Sequence, residues 1–135
     1  MKKIAVFAML FVAMMATAQE NQVVEFNERT HDFGTVKQED GDIYTTFTFV
    51  NQFASPITLK SVKASCGCTT PEWSHEPIAP NATGTIRVKY AAATRPGSFT
   101  KSITVVLTNG SEDFTEMLYI KGNVQPKPAE PAPAQ

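Results

Sequence analysis

The chain has 135 residues, of which 42% are hydrophobic and 19% charged, and its 12 basic and 13 acidic side chains give a net charge of −1. The charges are scattered along the sequence, which leaves no electrostatic footprint for nucleic acid or an anionic membrane surface. Only two cysteines are present, and they stand one residue apart.

The N-terminus reads as an export signal over residues 1–18. Lys2 and Lys3 form a basic n-region, Ile4 to Ala16 is apolar and uncharged, and Ala16-Thr17-Ala18 supplies the small-x-small pattern of signal peptidase. The apolar run is too short to cross about 30 Å of hydrocarbon, so no stable membrane insertion is expected after cleavage before Gln19. No cysteine stands at that site for a lipid anchor. Removing Lys2 and Lys3 leaves 10 basic against 13 acidic residues, a net charge of −3. A periplasmic or secreted location follows, in a compartment where thiols tend to oxidise.

Residues 19–124 form one domain of ordinary size, and its hydrophobic period is two. His31 precedes Asp32-Phe33-Gly34 at a strand start. Ile43, Thr45, Phe47 and Phe49 line one face of a strand, with Tyr44, Thr46 and Thr48 on the other. Ile57 and Leu59 are in phase, but Val62 and Ala64 are not, which predicts a bulge before the cysteines. Thr85 to Tyr90 alternates polar and apolar, with Ile86, Val88 and Tyr90 on the apolar side. Phe99, Ile103, Val105 and Leu107 share one parity; so do Phe114, Leu118, Ile120 and Val124. Turn signals separate these runs at Asp40-Gly41-Asp42, Ala54-Ser55-Pro56, Pro80-Asn81-Ala82, Arg95-Pro96-Gly97 and Asn109-Gly110-Ser111. The pattern predicts an all-β protein, a single immunoglobulin-like antiparallel β-sandwich of about seven strands. Residues 125–135 contain four prolines and no large apolar side chain, and read as an extended, disordered tail.

Cys66-Gly67-Cys68 is the feature richest in chemistry. A disulfide's entropic benefit grows with the loop it closes, and a three-residue loop yields only about 1.5 kcal/mol on that model. The spacing also excludes the antibody-type bridge, which joins cysteines tens of residues apart across a tryptophan. In an extended segment residues i and i+2 point to the same face, and Gly67 is expected to let the backbone tighten until the sulfurs bond.

Ser65-Cys66-Gly67-Cys68-Thr69 is followed by Pro77-Ile78-Ala79-Pro80, the alternating strand to Tyr90, Pro96-Gly97, Lys101-Ser102-Ile103 and Asn109. It is preceded by His31-Asp32-Phe33-Gly34-Thr35-Val36 and Phe47-Thr48-Phe49-Val50-Asn51. Through nearly the whole mature domain this resembles the DUF1573 family, exported bacterial proteins of unknown function. The resemblance implies a sandwich similar to major sperm protein, PapD-type chaperone and ASH domains, which are generally binding modules. Asn81-Ala82 departs from the Pro-Gly turn usual in that family, and Gly84 stands close enough to confine the change to the loop.

Four readings of Cys66 and Cys68 stay open on sequence. They are a local disulfide or packed thiols ordering the loop before Trp73; thiol–disulfide exchange; metal binding; and a persulfide or other covalent role. Two thiolates suit Cu(I), with His75, His31 or Met117 completing the site if the fold brings one close. A Cys2His2 zinc site would use every such ligand, yet the spacing matches no familiar module. No thioredoxin-like context surrounds the pair. His75 lies in the polar loop Glu72 to Glu76, and Trp73 is expected to cover an edge of the core. Thr69, Thr70, Pro71, Glu72, Ser74, His75 and Glu76 suggest a surface loop with one sulfur partly exposed. The sequons Asn81-Ala82-Thr83 and Asn109-Gly110-Ser111 carry information only in a eukaryotic secretory pathway. No hydrolase elbow, phosphate loop or carboxylate pair appears. The sequence therefore points to a non-enzymatic envelope module without a cofactor, binding a protein or an extracellular polymer. The alternative is a periplasmic thiol-redox or Cu(I)-handling protein acting through Cys66 and Cys68.

Overall fold

The structure, a computed structural model, describes residues 23–128. The expected signal peptide over residues 1–18 and the tail from residue 129 onward lie outside the described residues. Eight strands are present: β1 Val24–Phe26, β2 Thr30–Lys37, β3 Ile43–Asn51, β4 Thr58–Ala64, β5 Thr69–Trp73, β6 Thr83–Tyr90, β7 Gly97–Thr108 and β8 Asp113–Gln125. They form two four-stranded sheets, ordered β1-β3-β6-β5 and β2-β8-β7-β4. The fold is the all-β, immunoglobulin-like sandwich that the alternation predicts. Among the described residues no helix is long and apolar enough to cross a membrane.

Period-two patterning places the core between the sheets. Phe47, Phe49, Ile86, Val88 and Tyr90 contribute from the first sheet. From the second come Leu59, Val62, Ile103, Val105, Leu107, Leu118, Ile120 and Val124. The bulge expected before the cysteines is a register shift between Leu59 and Ser61, so Leu59 faces Leu107 and Val62 faces Val105. One extra residue restores the inward direction that strict alternation would have lost. Tyr90 stacks on Phe99 with ring centroids 3.8 Å apart.

Several details differ from the sequence reading. The strands number eight because β1 and β5 are too short to show a period. The stretch after Cys68 is not all loop: Thr69–Trp73 pairs with β6, and Thr69 is buried. β8 runs through Gln125, so the strand takes in the first residue assigned to the tail. One pairing is parallel, β2 with β8. Only Asn27, Glu28 and Arg29 separate β1 from β2, so the chain changes sheet there without a hairpin reversal.

The Pro80-Asn81 turn is completed by Asn81 itself, whose φ is +62°. Asparagine enters this left-handed region more readily than most residues, so it stands where a glycine would serve. Gly84 stands just beyond this turn. It lies within β6, with the Phe49 ring packed against its Cα. Asn51 is fully buried yet satisfied, its Nδ2 donating to the carbonyls of Ser55 and Ile78 and its Oδ1 accepting from the Phe53 amide.

Candidate functional site

Cys66 and Cys68 are disulfide-bonded, with Cα atoms 5.3 Å apart. They occupy the corner where the chain leaves β4, at the edge of one sheet, and enters β5, at the edge of the other. The corner is tied to both sheets. The Ser65 amide donates to the Ser102 carbonyl of β7 at 2.9 Å, and the Ser102 amide to Ser65 Oγ. On the far side the Ala91 amide donates to the Cys68 carbonyl at 2.9 Å. Within the turn, the Thr69 amide donates to the Cys66 carbonyl and the Cys68 amide meets Cys66 Sγ at 3.3 Å.

The two sulfurs differ in access. Cys68 is 2% exposed and packs into the core beside the Thr69 hydroxyl, whereas Cys66 is half-buried at the rim. Gly67 is exposed, a Cβ built on it meets nothing, and its φ lies outside the left-handed region. The conformational freedom expected of Gly67 is therefore not what closes the turn. The hydrogen bonds on either side of it hold the geometry.

The expected third ligands are dispersed. His75 is exposed and lies against Trp73, with ring centroids 5.3 Å apart. Trp73 ends β5, packs on the core edge as expected, and keeps a buried indole N–H without a partner among the described residues. His31 sits on β2, its Nδ1 2.7 Å from Glu28 Oε1 and its ring edge-on to Phe33. Met117 faces outward from β8, where its sulfur accepts from the Thr104 hydroxyl at 3.4 Å. No three His, Cys, Asp or Glu side chains among the described residues come together as a metal group. Among the described residues Cys66, Cys68 and His75 do not form such a group, and the two sulfurs are bonded to each other.

An unpaired sheet edge is a common recognition surface of such sandwiches, but the sequence does not show which edge lies open. β3 has nine residues, and β6 pairs with all but the last. On its other side β1 covers only Phe49, Val50 and Asn51. Asn27 then closes that pairing on Thr48, donating to its carbonyl at 2.9 Å and accepting from its amide through Oδ1 at 3.0 Å. The Gln52 amide donates to the Val23 carbonyl in the same ladder. Even-numbered residues of β3 therefore aim their backbone groups toward β1, and by strand alternation those of Tyr44 and Thr46 aim the same way. Among the described residues no strand lies there to receive them.

The edges formed by β4, β5 and β2 are blunted. β4 carries Lys60 and Lys63 and a register shift. β5 has Pro71 and only five residues. The pairing of β2 is interrupted between Asp32 and Thr35. Charges, proline and bulges are the usual devices that stop a sheet from growing. The open part of β3, Ile43-Tyr44-Thr45-Thr46-Phe47, has none of them and consists of β-branched and aromatic residues.

Comparison with known proteins places the fold among sandwich modules. The family described as protein of unknown function (DUF1573) matches residues 24–124. No curated protein matches the sequence. The chain is similar to the Vibrio cholerae VesB protease structure, with a TM-score of 0.62 and 11% identity over 76% of this chain, but it spans only 32% of that one. It is similar to the ASH/PapD-like domain 7 of human CEP192, with a TM-score of 0.64 and 9% identity over 78% of this chain and 87% of that one. It is also similar to the YadV chaperone, with a TM-score of 0.53 and 14% identity over 83% and 56% of the two chains. Identities this low establish the shared sandwich alone. The family match spans the domain from its first strand to Val124, one residue short of the end of its last, and the protein belongs to the DUF1573 family.

Proposed function

We propose that this protein is a non-enzymatic binding or scaffolding module of the cell envelope that takes up an extended segment of a protein or polymer by sheet extension. The observation that carries this reading is the early departure of β1, which leaves the backbone donors and acceptors of Tyr44 and Thr46 facing outward. An extended ligand satisfies such groups by adding a strand, with its main chain giving affinity and its side chains specificity. Export is supported by the basic and apolar leader ending at Ala18. The Cys66–Cys68 disulfide is a local cross-link in the corner between β4 and β5, at the edge opposite the docking edge, and this reading does not depend on it.

Amide hydrogen exchange tests this. In the isolated mature protein the Tyr44 and Thr46 amides should exchange fast, while those of Thr45 and Phe47, bonded to β6, stay protected. Selection from a displayed library of random heptapeptides should yield binders that protect the two fast amides. Binders that leave both amides unprotected would remove sheet extension at β3 as the mode of binding.

A further inference from the structure

We infer that the segment received by β3 is acidic, with carboxylates at alternate, outward-facing positions and apolar residues between them; this rests on the sheet-extension reading. The outer face beside the open edge is basic. Arg87 and Lys89 of β6 lie directly opposite Thr46 and Tyr44 in register. The Arg87 guanidinium leans toward the edge, 4.5 Å from the ring centroid of Tyr44, which is 51% exposed. Its register neighbour on the other side is Glu72 of β5, yet the two form no ion pair among the described residues. A strand added to β3 would bring its outward side chains about 10 Å from these cations, two strand spacings away, within the reach of a carboxylate and an arginine together.

The inward positions have their own requirement. Phe33, Val36 and Ile43 are only partly buried where they pack on the core, and the upper end of the same seam is closed by Val24 and Phe26 of β1. β1 itself reads apolar, acidic, apolar as Val24-Glu25-Phe26, with Glu25 outward. A segment lying in line with β1 would continue that pattern down the sheet. A second copy of this chain fits less well, because pairing β3 with β3 would bring two basic faces together.

The test is a titration of the labelled mature protein with a capped heptapeptide of alternating valine and glutamate, beside its valine and lysine counterpart, followed by NMR. The glutamate peptide should shift Ile43 to Phe47 and protect the Tyr44 and Thr46 amides. The lysine peptide should bind at least roughly tenfold more weakly, and the preference should fade with added salt. Arg87→Gln should reduce the preference by a few-fold. Thr46→Pro should abolish binding, because it removes an N–H that the fold leaves unused. Should that variant unfold, N-methylation of alternate peptide amides makes the same test from the ligand side: one phase blocks binding and the other spares it. Equal affinity for both peptides overturns the acidic assignment and leaves sheet extension standing. Shifts confined to β4 or β5 overturn the choice of edge, and no shift with either peptide overturns this inference. Slow Tyr44 and Thr46 exchange without peptide also overturns it: release by truncation after Pro128 would name the tail as occupant, and release by dilution a second copy.

Discussion

Gly84 of β6 lies directly beneath the ring of Phe49 on β3, and the two residues are register partners. A Cβ built on Gly84 would overlap the Phe49 ring and fall 2.7 Å from Ile78 Cδ1. Phe49 is buried, so its ring has little room to retreat. The missing side chain is what lets the two strands and the Ile78 segment share one layer.

Gly84→Ala should therefore destabilise the domain by about 1–3 kcal/mol through overpacking. In a Phe49→Leu background, where the ring is gone, the same substitution should cost much less. Chemical denaturation of the four proteins of this cycle measures the coupling. Additive effects would show that Gly84 is needed for some reason other than the ring.

Val88 is fully buried between the sheets, as its alternation predicts. Val88→Ala removes two methyl groups from a packed site and should cost about 1–3 kcal/mol, seen as a lower melting temperature. An unchanged melting temperature would contradict the inward register of β6.

The disulfide closes a short loop, and the turn around it is already held by main-chain bonds to Ser102 and Ala91. A Cys66→Ser, Cys68→Ser double variant should fold and lose no more than about 2 kcal/mol. In the reduced wild-type protein a small alkylating agent should modify Cys66 before Cys68, since Cys68 is the buried partner. Modification in the opposite order, or a double variant that cannot fold, would sink this account of the corner.

Two groups should shape the pH dependence of stability from opposite ends. Asp113 accepts a hydrogen bond from Lys60 Nζ at 2.6 Å, which holds its carboxyl below the ordinary value of 3.8. A depressed carboxylate stabilises the fold above its unfolded pKa, and that contribution is lost as pH falls through the folded value. Asp113→Asn should flatten the acid limb of the stability profile slightly, because the pair is exposed.

Tyr90 behaves in the reverse sense. Burial pushes its hydroxyl above the ordinary 10.0, against a smaller opposing effect of Arg95. Its contribution is full below pH 10.0 and is lost as pH rises through the folded value. Tyr90→Phe should remove that alkaline loss, read from denaturation midpoints above pH 10.0. An alkaline limb unchanged in the variant would mean that other groups cause it.

What could be read from the sequence was whatever depends on neighbours along the chain. The parity of Phe47 and Phe49, of Ile86, Val88 and Tyr90, and of Ile103, Val105 and Leu107 marks the inward faces, because successive side chains in a strand must alternate. The phase break between Leu59 and Val62 locates a bulge for the same reason. Cys66 and Cys68 are close enough in sequence for their bond to be anticipated. Strand neighbours are a different matter, since pairing joins residues far apart in the chain and leaves no period behind. Nothing in Thr45-Thr46-Phe47 records that β1 leaves the sheet at Phe26, or that β2 settles parallel to β8. The same holds for access: Cys66 and Cys68 look equivalent in sequence, and only the packing of the corner between two sheets buries one sulfur and leaves the other at the rim. The open edge of β3 exists because three residues, Asn27 to Arg29, carry the chain across the sandwich before it has covered its neighbour.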